Sequence, residues 1–88
     1  MDIKAIKEKI ITNVYLIDSS KKVPLHKHDG FDEIFYCVAG EGFGVLQDGD
    51  VELKVGEAFI VPSGTMHALK TEGELCVASF LVPVVKKG

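Results

Sequence analysis

The sequence predicts an all-β fold, a small sandwich or barrel with at most one short helix at its N-terminus. Three observations carry that expectation. Apolar and polar residues alternate with a period of two, as in VELKV at 51–55, where Val51, Leu53 and Val55 share one face and Glu52 and Lys54 the other. Turn signals punctuate the apolar runs at short intervals: Asp29-Gly30, Asp48-Gly49, Gly56 and Pro62-Ser63-Gly64. Helical spacing is confined to the start of the chain, at Ile3, Ile6 and Ile10. Seven or more short strands in 88 residues leave few architectures other than a sandwich or barrel.

Taken in order, DIKAIKEKI supplies the short helix and IITNVYLID, 10–18, the first strand. A second strand carries His26 and His28 and ends at the Asp29-Gly30 turn. The chain then returns in a hairpin that begins at Glu33 and runs on through FYCV. GEGFG at 40–44 opens the next strand, and its spacing is neither that of a dinucleotide-binding loop nor that of a P-loop. FGVLQ at 43–47 pairs with 51–55 across Asp48-Gly49. AFIVP at 58–62 reads as a strand buried on both faces, and a further strand starts near His67. The run LCVASFLVPVV, 75–85, is a strand cut by Pro83, which belongs at an edge or an exit.

Composition bounds the function. The chain is one domain, 1–88, near the size at which a partner subunit gives useful support. No apolar run approaches the roughly 20 residues of a membrane span, so no membrane partner is expected. The N-terminal stretch lacks the apolar core of a secretory signal, which makes the cytoplasm the expected location. Net charge is −3 and all ten cations are lysines, the wrong footprint for nucleic acid. Cys37 and Cys76 lie in apolar strands without CxxC spacing and read as buried reduced thiols, with a bridge between them left open.

The stretch HKHDGFDE, 26–33, concentrates two histidines, two aspartates and a glutamate. A solvated turn would account for it, because loops collect such residues. A metal site would too. On one strand His26 and His28 point the same way, and Glu33 on the returning strand can reach the same point. The third histidine, His67, follows the turn that Pro62 and Gly64 shape.

These residues carry a family resemblance. HKHDGFDEIFYCVAG resembles the first cupin motif, HxHx4Ex6G, at His26, His28, Glu33 and Gly40. GEAFIVPSGTMH resembles the second, Gx5PxGx2H, at Gly56, Pro62, Gly64 and His67. Ser20 stands where the first motif usually opens with glycine, and Thr71 where the second often closes with asparagine; neither position supplies a ligand. The resemblance implies a cupin-type jelly-roll barrel with one metal ion held by His26, His28, Glu33 and His67. Three nitrogens, one oxygen and no sulfur suit a divalent manganese, iron, cobalt, nickel, copper or zinc ion.

By the same period of two, Phe35 and Cys37 share the face of Glu33, while Leu69 and Thr71 share that of His67. They fill the core or wall a metal cavity. Met66 fills a gap or forms a lip. Tyr36 faces away, Asp29 belongs to its turn, and Asp32 is placed to support a ligand histidine. No catalytic residue is identified beyond the ligands. Three functions remain in view: a metal-dependent enzyme, dioxygenase-like, isomerase-like or Lewis-acid, acting on a small molecule; a non-catalytic sensor or carrier of a small ligand or metal; and a structural use of the fold in which the ion only stabilises the barrel. The apolar strands at 58–62 and 75–85 point to a homodimer.

Overall fold

The computed structural model describes residues 1–85; the last three residues of the expected domain lie outside them. A seven-residue helix, α1 (Ile3–Lys9), precedes seven strands: β1 (Ile11–Asp18), β2 (Val23–His26), β3 (Phe31–Leu46), β4 (Gly49–Lys54), β5 (Ala58–Val61), β6 (His67–Lys70) and β7 (Glu74–Pro83). The Asp2 carboxylate caps the helix by accepting from the Ala5 N–H at 3.1 Å, and Lys7 and Lys9 sit favourably in its last turn. None of the described helices is long and apolar enough to cross a membrane.

All strand pairs are antiparallel, and β3 belongs to two layers. Its first part, from Phe31 to Gly40, lies between β5 and β7, with β1 outside β7. Its second part, from Glu41 to Leu46, lies between β4 and β6, with β2 outside β6. The result is a jelly-roll barrel of two facing sheets, here called sheet A (β1-β7-β3-β5) and sheet B (β4-β3-β6-β2).

Glycine lets one strand serve both sheets. The β3–β7 register slips between Cys37 and Ala39, and Gly40 follows at φ +77°, where any Cβ would run into the Glu74 carbonyl oxygen. At Gly44 a Cβ would meet the Phe59 ring at 2.5 Å, so the bare backbone admits that ring to the core. GEGFG therefore continues a strand begun at Phe31, where the sequence reading placed two strands. A bulge with glycine substitutes for a loop.

The core comprises Ile17, Phe35, Cys37, Leu53, Phe59, Val61, Leu69, Leu75 and Val77. Phe35, Cys37, Leu69 and Thr71 are buried as expected, and Tyr36 is exposed. Two burial expectations fail. Val51 and, just beyond β4, Val55 are exposed while Leu53 is wholly buried, because β4 is the edge of its sheet and is covered only at Leu53. β5 alternates, Phe59 and Val61 inward and Ala58 and Ile60 outward, rather than being buried on both faces. Pro83 closes β7 as the expected exit, and the strand it ends is central, between β1 and β3. Cys37 is buried and Cys76 half-buried; both are free thiols, and β7's alternation turns Cys76 away from the core that holds Cys37.

Candidate metal centre

Four side chains from four places in the chain converge at one end of the barrel. Glu33 is the third residue of β3 in sheet A, and His67 opens β6 in sheet B, facing it across the interior. His26 ends β2, directly opposite His67 in the ladder. His28 lies two residues beyond, outside any strand. The expected hairpin is thus corrected: β2 pairs with β6 and not with β3, so HKHDGFDE crosses from sheet B to sheet A. The histidines and the glutamate meet because the two sheets face each other.

Loop bonding sets His28. Its carbonyl oxygen accepts from the Gly64 N–H at 2.9 Å, the Gly30 N–H donates to Ser63 Oγ at 2.8 Å, and the Ser63 N–H donates to Asp32 Oδ1 at 2.8 Å. These bonds stitch the loop after β2 to the loop before β6. Asp32 is therefore a loop tether and not the histidine partner expected of it. Gly64 takes φ +81°, a backbone conformation that suits glycine.

The distances suit a single cation. Glu33 Oε1 lies 2.8 Å from His67 Nε2, 3.4 Å from His28 Nε2 and 3.8 Å from His26 Nε2. All four donor atoms lie within 4.8 Å of one another. Two ligands each about 2.1 Å from one ion stand about 3.0 Å apart at a right angle and about 3.4 Å apart at the tetrahedral angle. The observed spacings bracket both values, and the donor set can hold a metal ion.

Hydrogen bonding orients the donors. His67 Nδ1 lies 2.9 Å from the Thr65 carbonyl oxygen and His26 Nδ1 lies 2.7 Å from that of Pro24. Each carbonyl can only accept, so each Nδ1 carries a hydrogen and a neutral ring turns its Nε2 lone pair toward Glu33. Lone pairs aimed at a carboxylate oxygen repel unless a proton or a metal ion lies between them. The other Glu33 oxygen, Oε2, accepts from Ser79 Oγ at 2.6 Å, which leaves Oε1 to face the imidazoles. Glu33 is only 3% exposed and His67 1%. Among the described residues the carboxylate's ionic contacts are all histidines, and a buried carboxylate without a cation is costly. His26 and His28 remain about a third exposed, so the open side of the cluster is theirs.

Sequence reasoning brought the four donors together but missed Ser79. The signal was present: in LCVASFLV, Ser79 is the one hydroxyl in an apolar run, in phase with inward-facing Leu75 and Val77. The backbone acceptors at Pro24 and Thr65 had no signal in the sequence.

Comparison with known proteins agrees with the architecture. The family model described as "Cupin domain" matches residues 13–84. An oxalate-binding protein of Thermotoga maritima is 39% identical over 51 residues, covering 58% of this chain and 42% of that protein. An uncharacterized protein of Methanocaldococcus jannaschii is 29% identical over 72 residues, 82% of this chain and 56% of that protein. The chain thus spans about half the length of these relatives. Among solved structures, a predicted oxalate decarboxylase from Thermotoga maritima superposes with a TM-score of 0.80 at 26% identity, covering 96% of this chain and 76% of that one. A DMSP lyase from Ruegeria pomeroyi superposes at 0.76 over 90% of this chain and 41% of that one; at 21% identity the likeness is one of fold alone.

Proposed function

The chain belongs to the cupin family, and from that premise we propose that it binds a small chelating organic acid through one divalent transition-metal ion held by His26, His28, Glu33 and His67. The observation that carries this reading is the convergence of three imidazole Nε2 atoms on one carboxylate oxygen, at 2.8 to 3.8 Å. Both cupin motifs supply these residues, His26, His28 and Glu33 from the first and His67 from the second. Manganese, iron, cobalt, nickel, copper and zinc all suit three nitrogens and one oxygen.

A bound ion would supply Lewis acidity and, at open positions, a seat for a ligand carboxylate. The chain's residues do the rest. Pro24 and Thr65 fix the ring tautomers, Ser79 occupies Glu33 Oε2, and Phe35, 5.7 Å from the His67 ring, walls the site with apolar surface. The names of the relatives, oxalate-binding and predicted oxalate decarboxylase, support a short dicarboxylate as the ligand class. With no arginine in the chain, recognition of the anion falls to the ion itself.

Binding without turnover is favoured over acid–base catalysis. The only carboxylate among the converging donors is Glu33, already engaged by Ser79 and the histidines, and among the described residues no second acid or base joins the cluster. The working unit is a homodimer, a reading supported by apolar side chains exposed on β1 and β5. The test of the binding reading is optical. The cobalt-loaded protein should change its visible spectrum on titration with oxalate and not with propionate, and oxalate should remain chemically unchanged. An unaltered spectrum would contradict an open site, and release of carbon dioxide or formate would replace binding with catalysis.

A further inference from the structure

Three of the converging donor side chains follow one plan: one polar atom is tied to the protein and the other is presented to the cluster. For His26 and His67 the tied atom is Nδ1, at the Pro24 and Thr65 carbonyl oxygens. For Glu33 it is Oε2, which accepts from Ser79 Oγ at 2.6 Å. The consequence differs with the chemistry. An imidazole tied at one nitrogen has only the other to offer, whereas a carboxylate has two equivalent oxygens and can grip a cation with one or both.

Ser79 is placed to make that choice. Its backbone is paired with Asn13 of β1 on one side and Phe35 of β3 on the other, in the interior of sheet A. The side chain is wholly buried, and its hydroxyl swings on a single torsion. Glu33 is held in the same way, opposite Val61 of β5 and Leu81 of β7, so neither partner is free to drift. Among the described residues Ser79 is the one hydrogen-bond donor to Oε2. Its inward neighbours along β7, Leu75 and Val77, are apolar, and packing alone would be served by another apolar side chain at this position.

We propose that Ser79 is a positioning residue that limits Glu33 to one ligating oxygen and so keeps room on the ion for a chelating ligand. The inference rests on the reading of the site as a binder of a chelating acid and adds the residue that sets its coordination. In octahedral geometry four single-atom donors leave two places, and a short dicarboxylate that binds through two oxygens needs both. A Glu33 that gripped with both oxygens would leave one. Without the Ser79 hydroxyl, Oε2 becomes a buried acceptor with no donor, and an ion beside Oε1 is the group able to satisfy it. A hydroxyl outside the ligand set thereby decides between chelating and single-atom ligands.

The test compares oxalate, which chelates, with azide, which binds through one atom, on the full chain saturated with cobalt and followed by its visible spectrum. Each variant is checked for folding by circular dichroism and for cobalt content. Ser79→Ala removes the hydroxyl, while Ser79→Thr and Ser79→Val add similar bulk and differ in the hydroxyl. Losing the second contact of a chelate should lower the affinity for oxalate relative to azide by about 100-fold in Ser79→Ala and Ser79→Val. Ser79→Thr should keep the ratio of the unaltered chain to within about threefold. A serine that merely supported the fold would change cobalt content or stability and leave the ratio alone. An unchanged ratio in Ser79→Ala and Ser79→Val would overturn the inference and leave the chelating-acid reading standing. A loss shared equally by Ser79→Thr and Ser79→Val would also overturn it, by assigning the effect to bulk. An unaltered chain whose spectrum does not answer to oxalate would overturn both.

Discussion

The two ends of the barrel interior are built from the same strands and follow opposite rules. Along β3 the inward residues run Cys37, Phe35, Glu33; along β6, Leu69, His67; along β7, Leu75, Val77, Ser79. Each strand is apolar at one end and ends in a hydrogen-bonding group or a candidate metal ligand at the other. The apolar end holds the sheets together by burial, about 1.5–3 kcal/mol for each large side chain. The polar end places a carboxylate, a hydroxyl and imidazoles where burial alone would exclude them. Among the described residues none of the buried side-chain polar atoms lacks a partner, so the polar end is a bonded network rather than a packing defect. The stable end fixes the geometry of the other.

Substitutions should separate the two ends. The largest effect expected is on metal affinity at the polar end. His67→Ala or Glu33→Gln should weaken binding by more than the roughly 10–100-fold typical of changes around a ligand, as read by competition with a chromophoric chelator. Folded structure should persist in both. At the apolar end, Leu53→Ala should cost about 2–5 kcal/mol in denaturant unfolding, because Leu53 is wholly buried, with metal bound per folded chain unchanged. A variant from either end that moved both readouts equally would erase the distinction.

Metal removal links the ends without merging them. An ion present at about 100 times its Kd stabilises the native state by about 2.7 kcal/mol, so stripping it with a chelator should lower the Tm of the unaltered chain and leave that of His67→Ala in place. Ser79→Ala should have a smaller effect, about tenfold in metal affinity, because Glu33 keeps Oε1 and loses only the bond to Oε2. The smallest effect concerns Cys37. Burial pushes its thiol pKa up, so the thiol stays protonated to higher pH than a free cysteine. In native protein at pH 8 it should resist alkylation, and react only once the apolar end is unfolded.

What the sequence disclosed follows the same division. Strand positions and the inward phase of Glu33, Phe35, Cys37, His67 and Leu69 were legible because a period of two is a local property of the chain. The four converging side chains were legible because their spacing resembles that of a known family. Pairing was not. HKHDGFDE looked like a hairpin because Asp29-Gly30 favours one, but no local signal says that β2 joins β6 in the opposite sheet. The bend at Gly40 was misread as a strand start, since a glycine inside a strand and a glycine ending one look alike in sequence. Asp32 was assigned to a histidine because it lies near two of them along the chain; in space it meets the Ser63 backbone, 31 residues away. Val51 and Val55 have the alternation of a buried face, yet β4 is an edge strand, and coverage depends on neighbours the alternation does not name.

The central claim is that the polar end holds one transition-metal ion. Elemental analysis by plasma mass spectrometry tests it most directly, on untagged protein purified without chelator or added metal, beside His67→Ala. The account predicts close to one equivalent of a divalent first-row metal per chain, lost in the variant while its fold is kept. Equal metal content in the two proteins would contradict it, as would the absence of metal from both after dialysis against manganese, iron, cobalt, nickel, copper and zinc.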